Sequence, residues 1–303
     1  MKPTRALITG ATGLIGPKLI DQLPESIVLS RNPEKASQKL SGVPAFPWQA
    51  STEKPPKEAL DGVDCVFNLA GEPVAEGRWS QSKKDRIRES RVLGTKNLVQ
   101  ALSEMETPPR VLVSASAVGF YGDRGDEELN ESASPGEGFL PEVCVEWEKE
   151  AMAAEALGIR VVCLRIGIVL AKDGGALAKM LPPFRMGAGG PLGKGRQWMP
   201  WIHIDDMIGL LLHAAQSEDL RGPVNAVAPN PETNASFTRA LGKALRRPAI
   251  IPVPTTALRI LFGEMTQIII ASQRCIPKAA QESGYGFKYP DLNAGLSAIL
   301  KTL

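Results

Sequence analysis

Cysteine and histidine are scarce in this 303-residue chain, which has 4 of the first and 2 of the second. Cys65, Cys144, Cys163 and Cys275 lie far apart with no C-x-x-C spacing, so neither a disulfide framework nor a zinc site is indicated. With His203 and His213 as the only histidines and no G-x-S-x-G elbow, serine–histidine hydrolysis has no material, and no ligand cluster of suitable spacing supports metal catalysis. No apolar run approaches the length of a membrane span, and a glycine motif begins by residue 10, which leaves no room for a signal peptide. The net charge is only +2, from 35 Lys+Arg against 33 Asp+Glu, and there is no polybasic run. That balance predicts neither a nucleic-acid groove nor an anionic membrane face, so local charge has to carry any such reading. The absences together predict a globular protein of the reducing cytoplasm, monomeric or homodimeric, with no metal and with Cys65 and Cys163 as small buried hydrophobes.

What is present is alternation. Short apolar runs, RALIT (5–9), SIVLS (26–30), DCVFNLA (64–70), RVLVSAS (110–116) and IRVVCLRIGIVL (159–170), are interleaved with helical patterns. Those helices are predicted over about 14–23, from Pro33, over 81–104 and near 142–157. Strands too apolar to have a wet face, separated by helices, predict a doubly wound α/β core with a parallel sheet covered on both sides. From about 171 the texture turns to a Gly- and Pro-rich stretch, PPFRMGAGGPLGKGRQWMP, then returns to helix in WIHIDDMIGLLLHAA, where Asp205 or Asp206 is placed to cap. The expected organisation is a Rossmann domain over 1–230, with a substrate-loop insertion at 171–200, and a smaller C-terminal substrate lobe over 231–303, beside the sheet's C-terminal edge where open α/β sheets bind ligands.

Residues 9–16 read TGATGLIG. Gly10 serves the tight turn, Gly13 lets a pyrophosphate approach the backbone, and Gly16 allows close helix–strand packing; Thr12, Leu14 and Ile15 complete the loop. The end of the second strand decides which dinucleotide is expected. It reads LSRNPEKA, with Ser30 and Arg31 where an acid would hold a ribose 2′-hydroxyl, so NADP(H) is the predicted cofactor. The competing reading leaves Arg31 solvated before a helix with Asn32 as N-cap and Pro33 at its first position.

With these residues in view the chain resembles the extended short-chain dehydrogenases/reductases over nearly its whole length, through TGATGLIG, NLAG (68–71), VSASAVGFYG (113–122), LRIGIVL (164–170) and WIHIDD (201–206). NLAGEPVAEGRW, SRVLGT, PFRMGAGGPLGKGRQWMPWIHIDD, RRPAIIPVP and GYGFKYPDL are similar to the signatures of an atypical branch, the epimerase-family or NAD-dependent epimerase/dehydratase-like proteins. The resemblance implies that Leu69, Ala70 and Gly71 pass beneath the dinucleotide. It also implies that Arg91, in the place of the family's N-x-x-G-T asparagine, forks onto the diphosphate, and that Arg165 joins the cofactor set. Otherwise Arg91 belongs to a charged, solvated helix face.

The family's usual proton relay, a Tyr with a Lys four residues on, is missing. Tyr121, Tyr285 and Tyr289 are followed at that spacing by Gly125, Tyr289 and Asn293, and alignment of EGFLPEVCVEWEKEA puts Leu140 and Cys144 near the two places. Ser116 matches the substrate-orienting serine, and Tyr121 is either a proton donor from a loop or an aromatic packed at the strand exit. His203 reads as structural, Lys194 and Arg196 either close over an anionic substrate or face water, and Glu72 has no assigned role. Two functions follow: an NADP(H)-dependent oxidoreductase or epimerase acting on a small carbonyl or hydroxyl compound, or a non-catalytic NADP(H)-binding regulatory or interaction protein, some relatives of this branch being linked to cell or plastid division.

Overall fold

A computed structural model describes residues 3–301. Seven parallel strands form the central sheet: β1 (Ala6–Thr9), β2 (Ser26–Ser30), β3 (Ala45–Pro47), β4 (Cys65–Asn68), β5 (Val111–Ala117), β6 (Arg160–Ile166) and β7 (Gly222–Ala226). Their spatial order is 7-6-5-4-1-2-3. The order reverses between β1 and β4, which places a crevice at the ends of those two strands. The strands are buried on both faces because they are apolar at successive positions, as in ALIT and CVFN, where every residue is buried.

One layer of helices carries α1 (Gly16–Ile20), α2 (Pro33–Lys39) and, after α5 (Gly175–Arg185), α6 (Ile204–Gln216); the other is formed by α3 (Gln81–Leu102) and α4 (Phe139–Met152). Asn32 caps α2 as its sequence predicts, its side chain accepting from the Lys35 amide at 3.0 Å. The cap of α6 differs from expectation. Neither Asp205 nor Asp206 provides it; the His203 ring accepts through Nδ1 from the Asp205 amide at 3.0 Å. Asp206 instead receives the amides of Lys288 and Tyr289, at 2.7 and 2.9 Å.

The run 159–170 does not continue as one strand. It breaks at Gly167, where any Cβ would lie 2.5 Å from the Pro200 carbonyl oxygen, and Ile168–Leu170 leaves the sheet to pair in parallel with Trp201–His203. β3 and β7 escape the apolar pattern for separate reasons: β3 is a three-residue edge, and β7, GPVNA, opens on Gly-Pro and carries the buried polar Asn225.

Residues beyond β7 supply α7 (Asn234–Leu245), α8 (Thr255–Phe262), α9 (Thr266–Ile270), α10 (Lys278–Glu282) and α11 (Leu292–Lys301). Phe237 and Leu241 of α7 meet Leu292 and Leu296 of α11 in a separate apolar cluster, whereas Ala280, Tyr285 and Phe287 return to the core under α6. Among the described residues no helix is long and apolar enough to cross a membrane. All four cysteines are free and buried.

Candidate functional site

The glycine loop follows β1 directly. Gly10 sits at φ +67°, and a Cβ there would lie 2.6 Å from the Leu69 carbonyl oxygen; one at Gly16 would lie 2.0 Å from that of Ala11. These two positions are closed by the protein's own backbone. Gly13 is different: its amide donates to the Gly10 carbonyl at 3.0 Å, and a Cβ would meet nothing within 4 Å except that carbonyl oxygen at 3.2 Å. The small residue at 13 therefore keeps space open rather than relieving a contact, which fits a loop that receives a phosphate group. The first helix starts at Gly16, two residues later than the sequence suggests, and has five residues. So short a helix has a weak dipole.

The opposite wall is NLAG. The Thr9 hydroxyl donates to Asn68 Oδ1 at 2.9 Å and accepts from the amides of Leu69 and Ala70, both at 3.0 Å, which pins the start of the β4 loop across the end of β1. Asn68 Nδ2 donates to Thr95 Oγ1 at 2.9 Å and Ser114 Oγ at 3.2 Å, and the Trp147 indole donates to the same Thr95 oxygen at 2.9 Å. This buried network fixes β1, β4, α3, β5 and α4 to one another immediately beneath the crevice.

Arg91 lies against this wall. Its Nη1 donates to the carbonyls of Glu72 and Ile87 at 3.0 and 3.1 Å, the guanidinium stands 5.1 Å over the Trp147 ring, and a Cβ on Gly71 would fall 2.9 Å from its central carbon. Burial lowers its pKa. Arg91 is thus not a solvated face residue; it props the loop at Gly71, with Nη2 and Nε making no hydrogen bond among the described residues. Glu72 accepts from the buried Lys83 at 2.8 Å, and that hydrogen bond, opposed by burial, holds its carboxyl below the usual range.

At the tip of β2, Ser30 Oγ exchanges hydrogen bonds with the backbone of Asn32 at 3.1 Å, and Arg31 is exposed. Lys39 of α2, which the sequence reading did not select, donates from Nζ to the Thr12 carbonyl at 2.7 Å. A cation is thereby held on the glycine loop. Its signal was present as the second helix's last-turn lysine, but only the fold brings it 27 residues back along the chain.

The side chains predicted to act at β5 are engaged internally. Ser116 Oγ donates to Glu148 Oε1 at 2.6 Å. Glu148 also takes Nε and Nη2 of Arg165, both at 2.9 Å. Arg165 Nη1 donates to the Tyr121 hydroxyl at 3.0 Å and to the Glu131 carbonyl at 3.2 Å, while its guanidinium lies 3.5 Å over the Phe120 ring. Tyr121 is fully buried, 0% exposed, in a 3₁₀ turn, donates to Asn225 Oδ1 at 2.7 Å, and is pushed up to about 12 by burial, against the pull of Arg165. The geometry is that of the packed aromatic, not of a donor reaching out of a loop. Arg165 likewise spends its donors on Glu148, Tyr121 and Glu131, away from the phosphate cradle, because a buried guanidinium requires a paired carboxylate.

Leu140 and Cys144, aligned with the absent Tyr and Lys, share one face of α4: a Cβ on Gly119 would lie 3.6 and 3.9 Å from them. Glu148 continues that face one turn on, so the i, i+4, i+8 spacing held the signal for the Ser116 partner. His203 is buried, its pKa lowered by burial, and it lies 3.9 Å from the Tyr289 ring, in keeping with a structural histidine. Among the described residues no group of His, Cys, Asp or Glu side chains could hold a metal ion.

The sequence model of the NAD dependent epimerase/dehydratase family matches residues 6–227, which spans the glycine loop, NLAG and the Ser116–Arg165 network. The chain belongs to this family. A domain of unknown function (DUF1731) matches residues 253–299. The epimerase family protein SDR39U1 homolog, chloroplastic, of Arabidopsis thaliana is 41% identical over 97% of this chain and 86% of its own length; epimerase family protein YfhF of Bacillus subtilis is 36% identical over 97% of each. Among solved structures, human epimerase family protein SDR39U1 (isoform 2) with NADPH superposes with a TM-score of 0.87 at 33% identity, covering 99% of this chain and 100% of that one. UDP-glucuronic acid 4-epimerase of Bacillus cereus, at 16% identity and a TM-score of 0.77, shares the fold.

Proposed function

We propose that this chain binds NADP(H), with the pyrophosphate on the Gly10–Gly16 loop and the 2′-phosphate between Ser30, Arg31 and Lys39. The observation that carries the reading is the Lys39 ammonium seated on the Thr12 carbonyl of the glycine loop, together with a β2 tip that offers Arg31 and no carboxylate to claim a 2′-hydroxyl. The NADPH bound to the human relative supports it. A phosphate monoester between two cations is held by charge-assisted hydrogen bonds absent from NAD(H). Titration of Arg31→Ala and Lys39→Ala therefore shows NADPH weakened at least tenfold and NADH little changed; equal losses for both coenzymes remove these residues from the phosphate site.

The bound coenzyme would supply hydride to or from a small carbonyl or hydroxyl compound at the end of β5. The chain's own residues there orient rather than protonate: Ser116, Tyr121 and Arg165 form one closed set, so the proton comes from solvent or from the substrate itself. A second reading, an NADP(H)-binding regulatory or interaction protein without turnover, is favoured by that same closed set. Coenzyme oxidation across a panel of aldehydes and ketones at saturating NADPH separates the two. Turnover supports an oxidoreductase, and none with saturated coenzyme supports the regulator. The four unpaired cysteines fit a reducing compartment, which we take to be the cytoplasm.

A further inference from the structure

The near-neutral net charge conceals a separation. Residues 174–204 contain four Lys or Arg and no Asp or Glu, and residues 233–263 contain five and none. These two segments, distant in sequence, pack edge to edge. The amides of Gly193 and Val253 bond the carbonyls of Val253 and Pro191 at 2.8 and 2.9 Å, Leu192 bridges Val253, and Gly190 sits so close to Ile251 that a Cβ could not fit. Lys179 donates to the Ala75 carbonyl, but the other basic side chains of both segments, among them the exposed Arg185, Arg246, Arg247 and Arg259, make no hydrogen bond or ion pair among the described residues.

The same two segments bear most of the exposed apolar bulk of the described residues. Met186, Ile250, Ile251, Ile260 and Leu261 are 76, 79, 54, 73 and 62% exposed, whereas the other two exposed large hydrophobics among the described residues, Leu93 and Val145, are each at 39%. Unpaired cations around bulky aliphatic side chains define what can cover them. A second copy of the chain would bring like charges together. Nucleic acid would leave the isoleucines without a partner, since the aromatic rings of both segments are buried or half-buried rather than presented for a base to stack on. An interface of acidic headgroups over acyl chains matches both features at once, cation to phosphate and aliphatic side chain to the headgroup–acyl boundary.

We propose that this face docks peripherally on an anionic phospholipid surface. This proposal rests on local charge and departs from the expectation of no membrane contact drawn from the overall balance. The exposed side chains of this face are none of those of the glycine loop or the β2 tip, so NADPH titration reads the coenzyme site separately from vesicle binding.

Flotation of the full chain with phosphatidylcholine vesicles, and with vesicles containing a third phosphatidylglycerol, tests this. The bound fraction is expected to be at least tenfold higher on the anionic vesicles and to fall with salt. The exposed triple variant Ile250→Ser/Ile251→Ser/Ile260→Ser loses at least tenfold. Arg246→Gln/Arg247→Gln loses binding and flattens the salt dependence, while Leu93→Ser, on α3, matches the wild type. Circular dichroism and NADPH titration establish that each variant is folded. Absence of binding to the anionic vesicles overturns the proposal while leaving the coenzyme site standing. Equal binding by the wild type and the isoleucine variant also overturns it, since charge alone would then suffice and the partner would be an acidic protein or a nucleic acid.

Discussion

Substituting alanine at Gly10 and at Gly13 separates the two uses of a glycine in one loop. At Gly10 the backbone is left-handed, φ +67°, and a Cβ would press within 2.6 Å of the Leu69 carbonyl oxygen. The conformation costs about 1–2 kcal/mol for an L-residue, and forcing the β4 loop aside adds about 1–3 kcal/mol. A total of about 2–5 kcal/mol is a large part of a typical stability of about 5–15 kcal/mol. It corresponds to a fall in Tm of about 5–15 °C. At Gly13 the sole neighbour is the Gly10 carbonyl at 3.2 Å, which a shift of a few tenths of an ångström relieves, so Tm falls by no more than about 2 °C. The added methyl nonetheless occupies the space left for the pyrophosphate, and NADPH weakens at least tenfold, about 1.4 kcal/mol. Thermal unfolding and coenzyme titration on both variants measure this. Comparable destabilisation by the two substitutions, or a Gly13→Ala protein that binds NADPH as well as the wild type, refutes the cradle.

Tyr121→Phe removes a hydroxyl that donates to Asn225 and accepts from Arg165, leaving buried groups short of a partner; unfolding shows a loss of about 1–3 kcal/mol, with NADPH affinity unchanged. A Tyr121→Phe protein of unaltered stability that has lost turnover would make the hydroxyl a reagent instead. Glu148→Gln leaves the buried Arg165 without its countercharge and costs about 3–5 kcal/mol, while the double variant Glu148→Leu/Arg165→Met recovers most of that in denaturant titration. His203 and His213 both have pKa values lowered by burial, so below the ordinary histidine value of about 6.5 the unfolded chain takes up protons that the folded chain refuses. Their contribution is complete above that pH and is lost as pH falls toward the folded values. Tm therefore declines on acidification through this range, and less steeply in His203→Gln than in the wild type.

The half of the fold that carries the glycine loop was legible because its signals are local. SIVLS became β2 residue for residue, Asn32 capped α2, and TGATGLIG followed β1 directly. The remainder depends on contacts that no window contains. Gly167 breaks a run that reads as continuous, because the Pro200 carbonyl occupies the space where a side chain would go. His203, not an aspartate, caps α6 because its imidazole turns back onto the Asp205 amide, freeing Asp206 for amides 82 and 83 residues on. Tyr121 and Arg165 were read as site residues from a motif. Their actual surroundings are set by Asn225, Glu131 and Glu148, which come from three other segments. Lys39 shows the converse, a contact with the glycine loop invisible until α2 folds against it.

The Asn68 carboxamide has a consequence for how the molecule is assembled and how it can drift. Thr9, Asn68, Thr95, Ser114 and Trp147 come from five separate elements, so the floor of the crevice is complete only when all five have docked. Substitutions at the rim leave this hub in place, since its hydrogen bonds are all internal to the floor. A chain without a Tyr-x-x-x-Lys pair thereby keeps a well-ordered floor beneath the crevice.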